Sequence, residues 1–124
     1  ENISVLLARA EQANPELPRL LEDKGAIVDD IAFYRTEPET ADRNGAAQEF
    51  EENGADWITF ASSSAVKNFD ARFDLAKRCA DNPSLKLASI GPETTKALKE
   101  LGLKPTVKAK AHTIDGLATA LLKK

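Results

Sequence analysis

Hydroxyls, two arginines and a tyrosine recur in this chain at one kind of place, where an apolar strand-like run gives way to a short polar or Gly/Pro segment that opens a helix. The five such breaks are Ala8-Arg9-Ala10-Glu11, Tyr34-Arg35-Thr36, Ala61-Ser62-Ser63-Ser64, Ile90-Gly91-Pro92-Glu93-Thr94 and Ala111-His112-Thr113. Side chains of these types beside free helix N-termini suit a ligand bearing carboxylates or phosphates better than an apolar one. Other chemistries lack their residues. A phosphoacceptor receiver needs an aspartate after the third strand and an acidic pair after the first to hold Mg²⁺; Ser62 and Arg9-Ala10-Glu11 stand there instead. No Gly-x-Gly-x-x-Gly follows the first strand, and its loop has neither the hydroxyls nor the aromatics a flavin would use. No Ser-His-Asp set is present, and one histidine beside one cysteine makes no metal site.

The elements that must position these residues follow from periodicity and punctuation. Ile3 to Ala8 reads as a strand buried on both faces. Asn14-Pro15-Glu16 opens a helix with Leu17, Leu20 and Leu21 inward and Gly25 at its end. Ala26 to Phe33 is a second strand, with Asp29-Asp30 marking an edge. A polar loop from Thr36 to Gly45 precedes a short helix over Ala46 to Asn53. Trp57 to Ala61 is the third strand, and the serine run caps a helix that carries Val66, Phe69, Phe73, Ala76 and Cys79 at helical spacing up to Asn82-Pro83. Leu85 to Ile90 and Thr106 to Ala109 are the last strands, each followed by a helix. Strict alternation predicts an α/β, flavodoxin-like three-layer fold, residues 1–124 forming one domain around a five-stranded parallel sheet in the order 2-1-3-4-5. The breaks then share the sheet edge formed by strand carboxyl ends, where open α/β folds bind ligands.

Composition narrows the partners. Seventeen Lys and Arg against twenty Asp and Glu, without a basic block, argue against nonspecific nucleic-acid binding. No apolar run is as long as a membrane span, and Glu1-Asn2-Ile3-Ser4 lacks the features of a signal peptide. With Cys79 the only cysteine, a reducing, cytoplasmic setting is expected. The chain contains no methionine, which fits a segment excised from something longer.

Ile3 to Pro18 (ISVLLARAEQANPELP), Tyr34-Arg35-Thr36, Trp57 to Phe69 (WITFASSSAVKNF), Leu87 to Gly102 (LASIGPETTKALKELG) and His112 to Leu121 (HTIDGLATAL) resemble, in order and spacing, the successive blocks of the second half of uroporphyrinogen-III synthase. The resemblance implies a lyase of tetrapyrrole and heme biosynthesis that needs neither metal nor organic cofactor. Such an enzyme eliminates water from the linear tetrapyrrole hydroxymethylbilane, inverts its last pyrrole ring and closes the macrocycle. It further implies Tyr34 as hydrogen-bond donor or general acid, and Ser62, Ser64 and Thr94 as holders of substrate carboxylates, with Thr113 and Arg9 as weaker carry-overs. Ser63 replaces the family's usual proline between the two serines, and Asn14 replaces the arginine common in the first loop.

Two features set expectations for activity. The family's enzyme has two α/β domains facing across a cleft, and this chain has about half that length. It is therefore expected to be a monomer with little or no synthase activity alone; a swapped homodimer rebuilding the cleft, or a non-catalytic and even engineered module, is the alternative. Structural roles also compete for the same residues. The serine run can serve as a helix N-cap alone, and for Thr94 and Thr113 a helix-start role outweighs a ligand role. Tyr34 can simply cover a sheet end, Arg9 and Arg35 can pair with Glu11 and Glu37, and His112 lacks a partner in sequence for acid-base work.

Overall fold

A computed structural model describes residues 3–123; Glu1, Asn2 and Lys124 lie outside the described residues. The chain divides into two compact units, Glu1–Glu39 and Thr40–Lys124.

The first unit is a strand-helix-strand motif of β1 (Ser4–Ala10), α1 (Glu16–Asp23) and β2 (Ile27–Tyr34). The strands pair in parallel, Ser4 opposite Ile27 and Ala8 opposite Ile31, until the register shifts so that Arg9 faces Ala32 while Ala10 faces Tyr34. Two β2 residues, Phe33 and Tyr34, thus meet one β1 residue at the strand end, a bulge of the kind that re-aims side chains. The Asn14 carboxamide oxygen accepts the Glu16 N–H at 2.8 Å and starts α1. At the other end Gly25, at φ +89°, takes the left-handed turn out of the helix. One helix covers one face of a two-stranded sheet. Burial accordingly alternates along β1, with Val5, Leu7 and Arg9 half-buried and Ser4, Leu6 and Ala8 exposed. The expected inward face of α1 is only partly realised: Leu21 is half-buried, whereas Leu17 and Leu20 stay exposed.

The second unit holds α2 (Ala46–Asn53), β3 (Trp57–Phe60), α3 (Ser63–Phe73), α4 (Leu75–Asp81), β4 (Lys86–Ser89), α5 (Pro92–Glu100), β5 (Val107–Lys108) and α6 (Ile114–Leu122). Its strands form a parallel sheet in the order β3-β4-β5. On one face Phe60, Val66, Leu75, Leu87, Ala97 and Leu98 form the larger core, joined by Phe69 and Cys79; on the other, Leu117 of α6 packs with Ala88 and Ala109. Leu75 and Leu98 are fully buried, which is worth about 1.5–3 kcal/mol for each side chain. Phe50 of α2 meets Phe69 and Phe73 edge-on, and the Arg78 guanidinium lies 4.7 Å over the Phe50 ring.

Two expectations are corrected. Among the described residues the five strands do not make one sheet in the order 2-1-3-4-5: β1 pairs with β2, and β3-β4-β5 form a second sheet. Alternation of strands and helices dictates parallel pairing inside each group, but no residue pattern encodes which groups are neighbours. The long helix expected over Val66 to Cys79 is two helices, broken at Asp74, which sits at φ +55°. Aspartate tolerates the left-handed region. Its side chain accepts the Lys77 N–H and so caps α4, while Arg78 Nε donates to the Phe73 carbonyl at 2.6 Å and satisfies the end of α3.

Candidate functional site

In the second unit the expected hydroxyls do sit where strands end and helices begin. Ser62 is the extended N-cap of α3, at φ −160° and ψ 159°. Its Oγ accepts the Ala65 N–H at 3.1 Å and lies 3.2 Å from the Ser64 Oγ, and both residues are exposed. An N-cap oxygen spends a lone pair on the helix but keeps its proton. The two hydroxyls also share a hydrogen bond in which either can donate, so the pair presents one free O–H at a strand end, an arrangement that can meet a carboxylate oxygen.

Thr94 is brought to the first turn of α5 but is only 2% exposed. Beside it the Thr95 and Ser89 hydroxyls share a buried hydrogen bond of 2.7 Å that pins α5 to β4. Thr113 caps α6, its Oγ1 accepting the Gly116 N–H at 3.0 Å, and it lines a cavity of about 590 Å³ between β5 and α6 together with Val107, Ala111 and Ala120.

In the first unit Tyr34 ends β2 just past the bulge, with its side chain 61% exposed. Its carbonyl accepts the Glu11 N–H at 2.8 Å, which ties the two loop entrances together. Arg9 is committed elsewhere. Its guanidinium grips both Asp30 oxygens, at 2.8 and 2.6 Å, and donates to the Asn14 carbonyl at 2.7 Å. These hydrogen bonds hold the Asp30 carboxyl below its ordinary range and raise the already high pKa of Arg9. Arg35 pairs with Glu37 at 2.6 Å and approaches Glu11 at 4.0 Å, as anticipated, whereas the partner of Arg9 is Asp30 rather than Glu11. Asp30 thus anchors an arginine as well as marking an edge strand.

Cys79 is half-buried against the larger core, and burial pushes its thiol pKa up, as for a packing residue. His112 lays its ring on Gly91, 3.2 Å from where a Cβ would stand. Sequence reasoning passed over the lysines that gather beside this contact. Lys96 and Lys99 on α5 and Lys108 at the end of β5 line a cavity with His112. The signal available was the three-residue spacing on one helix face.

The model of the family described as uroporphyrinogen-III synthase HemD matches residues 1–119. A uroporphyrinogen-III synthase from Synechococcus elongatus is 28% identical, over 94% of this chain and 46% of its own length. Among solved structures, uroporphyrinogen-III synthetase from Helicobacter pylori superposes with a TM-score of 0.77 at 20% identity, over 97% of this chain and 53% of its own. Uroporphyrinogen III synthase from Thermus thermophilus gives 0.56 at 23% identity, over 99% and 52%. The chain spans about half the length of the relatives it matches. With every strand-end break inside the matched residues, the chain belongs to the uroporphyrinogen-III synthase family.

Proposed function

We propose that this chain is one half of a uroporphyrinogen-III synthase and that its strand ends bind part of hydroxymethylbilane. The observation that carries the reading is the family match through residues 1–119, which takes in Tyr34 and the whole serine loop. In the reaction the hydroxymethyl C–O bond breaks, the pyrrole nitrogen lone pair supplies the electrons, and the departing oxygen leaves as water once it gains a proton. Tyr34, an exposed phenol on a bulged strand end, is assigned the hydrogen bond or proton to that oxygen. Ser62 and Ser64 hold a substituent carboxylate through their paired hydroxyls. Thr94 and Thr113 contribute the first turns of α5 and α6, and Arg9 orders the first loop through Asp30.

With half of the family's length, the chain is a monomer that binds tetrapyrrole and closes it poorly or not at all. Light scattering over a concentration series, run beside an assay of hydroxymethylbilane closure, tests this. A dimer with full closure activity refutes the monomeric half-site. Tyr34→Phe should leave stability within about 0.5 kcal/mol, since the phenol is exposed. It should weaken binding of the linear tetrapyrrole about threefold to tenfold, the worth of one hydrogen bond. Unchanged binding removes Tyr34 from the site.

A further inference from the structure

The chain contains two Asn-Gly pairs, Asn44-Gly45 and Asn53-Gly54, one at each end of α2. Asparagine is a thermally labile residue, and it is most labile before glycine, where the chain can attack itself. The backbone nitrogen that follows bonds to the carboxamide carbon and closes a five-membered imide ring, an approach that glycine leaves open because it has no Cβ. Both asparagines are exposed, so solvent reaches each of them. Their local structures differ.

Asn53 is the last residue of α2. The nitrogen that would attack, that of Gly54, donates its hydrogen to the Phe50 carbonyl at 2.8 Å, and the Asn53 carboxamide donates to Glu49, one turn back along the helix, at 2.8 Å. Ring closure there must first break both bonds and open the last turn. Asn44 lies in the loop before α2, and Gly45, at φ +77°, is the N-cap. The Gly45 N–H donates to no backbone carbonyl among the described residues; it meets the Asp42 carboxylate, on which it acts more weakly than the Ala47 and Gln48 N–H groups do. The Asn44 Oδ1 accepts the Ala46 N–H at 3.1 Å. That bond holds the carboxamide across the Gly45 backbone and sets a donor on the oxygen that turns negative when Cγ is attacked.

We propose that Asn44 is a site of spontaneous deamidation in the folded chain and that Asn53 is protected from it by α2. The Gly45 nitrogen gives its proton to hydroxide and bonds to Asn44 Cγ; the Cγ–Nδ2 bond breaks, and Nδ2 takes a proton from water and leaves as ammonia. Water then opens the imide at either carbonyl, which yields aspartate or isoaspartate. The isoaspartyl product routes the main chain through the former side chain and inserts a methylene between Asp42 and α2. Asp42 accepts the Ala47 and Gln48 N–H groups at 3.0 and 2.9 Å across that segment. With this product α2 loses its cap, and the edge-on contacts of Phe50 with Phe69 and Phe73 lose the helix that holds them.

Trypsin cuts after Arg43 and Lys67 and releases both asparagines in one peptide, so a single mass spectrum compares them. The full chain is aged at mildly alkaline pH, folded and in urea, and fragment ions assign the gain of one mass unit to Asn44 or Asn53. In the folded chain Asn44 converts about tenfold faster than Asn53 or more, and urea brings the two rates together because it removes the local structure that separates them. Equal rates in the folded chain, faster conversion at Asn53, or folding that slows Asn44 as much as it slows Asn53 each overturn the proposal. Amide protection in α2 falls in step with conversion of Asn44. Asn44→Gln keeps that protection through the same ageing, since a glutamine must close a larger ring and does so far more slowly. An equal loss of protection in aged Asn44→Gln overturns the link between deamidation and α2.

Discussion

Ser62 carries two assignments that one set of substitutions can separate, because the helix uses its lone pair and the ligand would use its proton. Ser62→Ala deletes the acceptor 3.1 Å from the Ala65 N–H, which costs about 1 kcal/mol as an N-cap loss. In a unit of this size that is a fall of roughly 4 °C in melting temperature. Ser64, inside the first turn, makes no such cap. Ser64→Ala should be neutral or gain up to about 0.5 kcal/mol from helix propensity. Ser62→Asp keeps a capping oxygen of the preferred kind, so stability is retained, but it sets a negative charge where the substrate's carboxylate would sit. At about 4 Å this repulsion is worth roughly 1 to 4 kcal/mol near a protein surface, a loss of affinity of about fivefold or more. Urea unfolding followed by circular dichroism reads the first quantity, and quenching of tryptophan fluorescence by bound uroporphyrin reads the second. If Ser64→Ala rather than Ser62→Ala lowers the midpoint, the capping assignment is wrong. If Ser62→Asp binds uroporphyrin as tightly as the parent, no ligand carboxylate lies at the serine loop.

A Cβ built at Gly116 overlaps the Ala111 carbonyl oxygen and stands 2.9 Å from its carbon, so Gly116→Ala must push the β5–α6 turn off the helix. Its expected cost is about 1–3 kcal/mol as overpacking, read by urea unfolding, and an unchanged midpoint refutes the close approach. Asp42 accepts the Ala47 and Gln48 N–H groups at 3.0 and 2.9 Å and is held below its ordinary 3.8 by them. Because the folded value is the lower one, its stabilisation of α2 is present above about pH 4 and lost as pH falls through the folded value. Protection of the α2 amides, taken relative to their intrinsic exchange rate at each pH, should therefore fall on acidification in the parent and already be low at neutral pH in Asp42→Ala; protection unchanged by the substitution refutes the cap.

Local elements were legible because single residues announce them. Asn14 before Pro15, Gly25 and Gly54 after helices, and Ser62 and Thr113 ahead of apolar helical stripes each have one physical role, and each plays it at that place in the structure. The break at Asp74 was hidden for the opposite reason. Phe73, Ala76 and Cys79 keep a helical spacing across it, and only the two side chains that satisfy the severed ends, Asp74 and Arg78, betray it.

For the residues named as candidates, place at a strand-to-helix switch was legible but availability was not, since place follows from the switch itself while availability depends on what each side chain meets across the fold. Arg9 and Asp30 lie twenty-one residues apart and find each other only because β1 and β2 pair. Thr94 is buried in the first turn of α5.

The same dependence on pairing explains the first unit. A run such as Ile3 to Ala8 reads as buried on both faces because strands of parallel sheets are, yet a lone strand-helix-strand motif has one helix and can cover one face. Leu6 at 59% and Phe33 at 61% exposure are what that topology leaves over. Their apolar character reflects a demand written into the strand that a single crossover helix cannot meet.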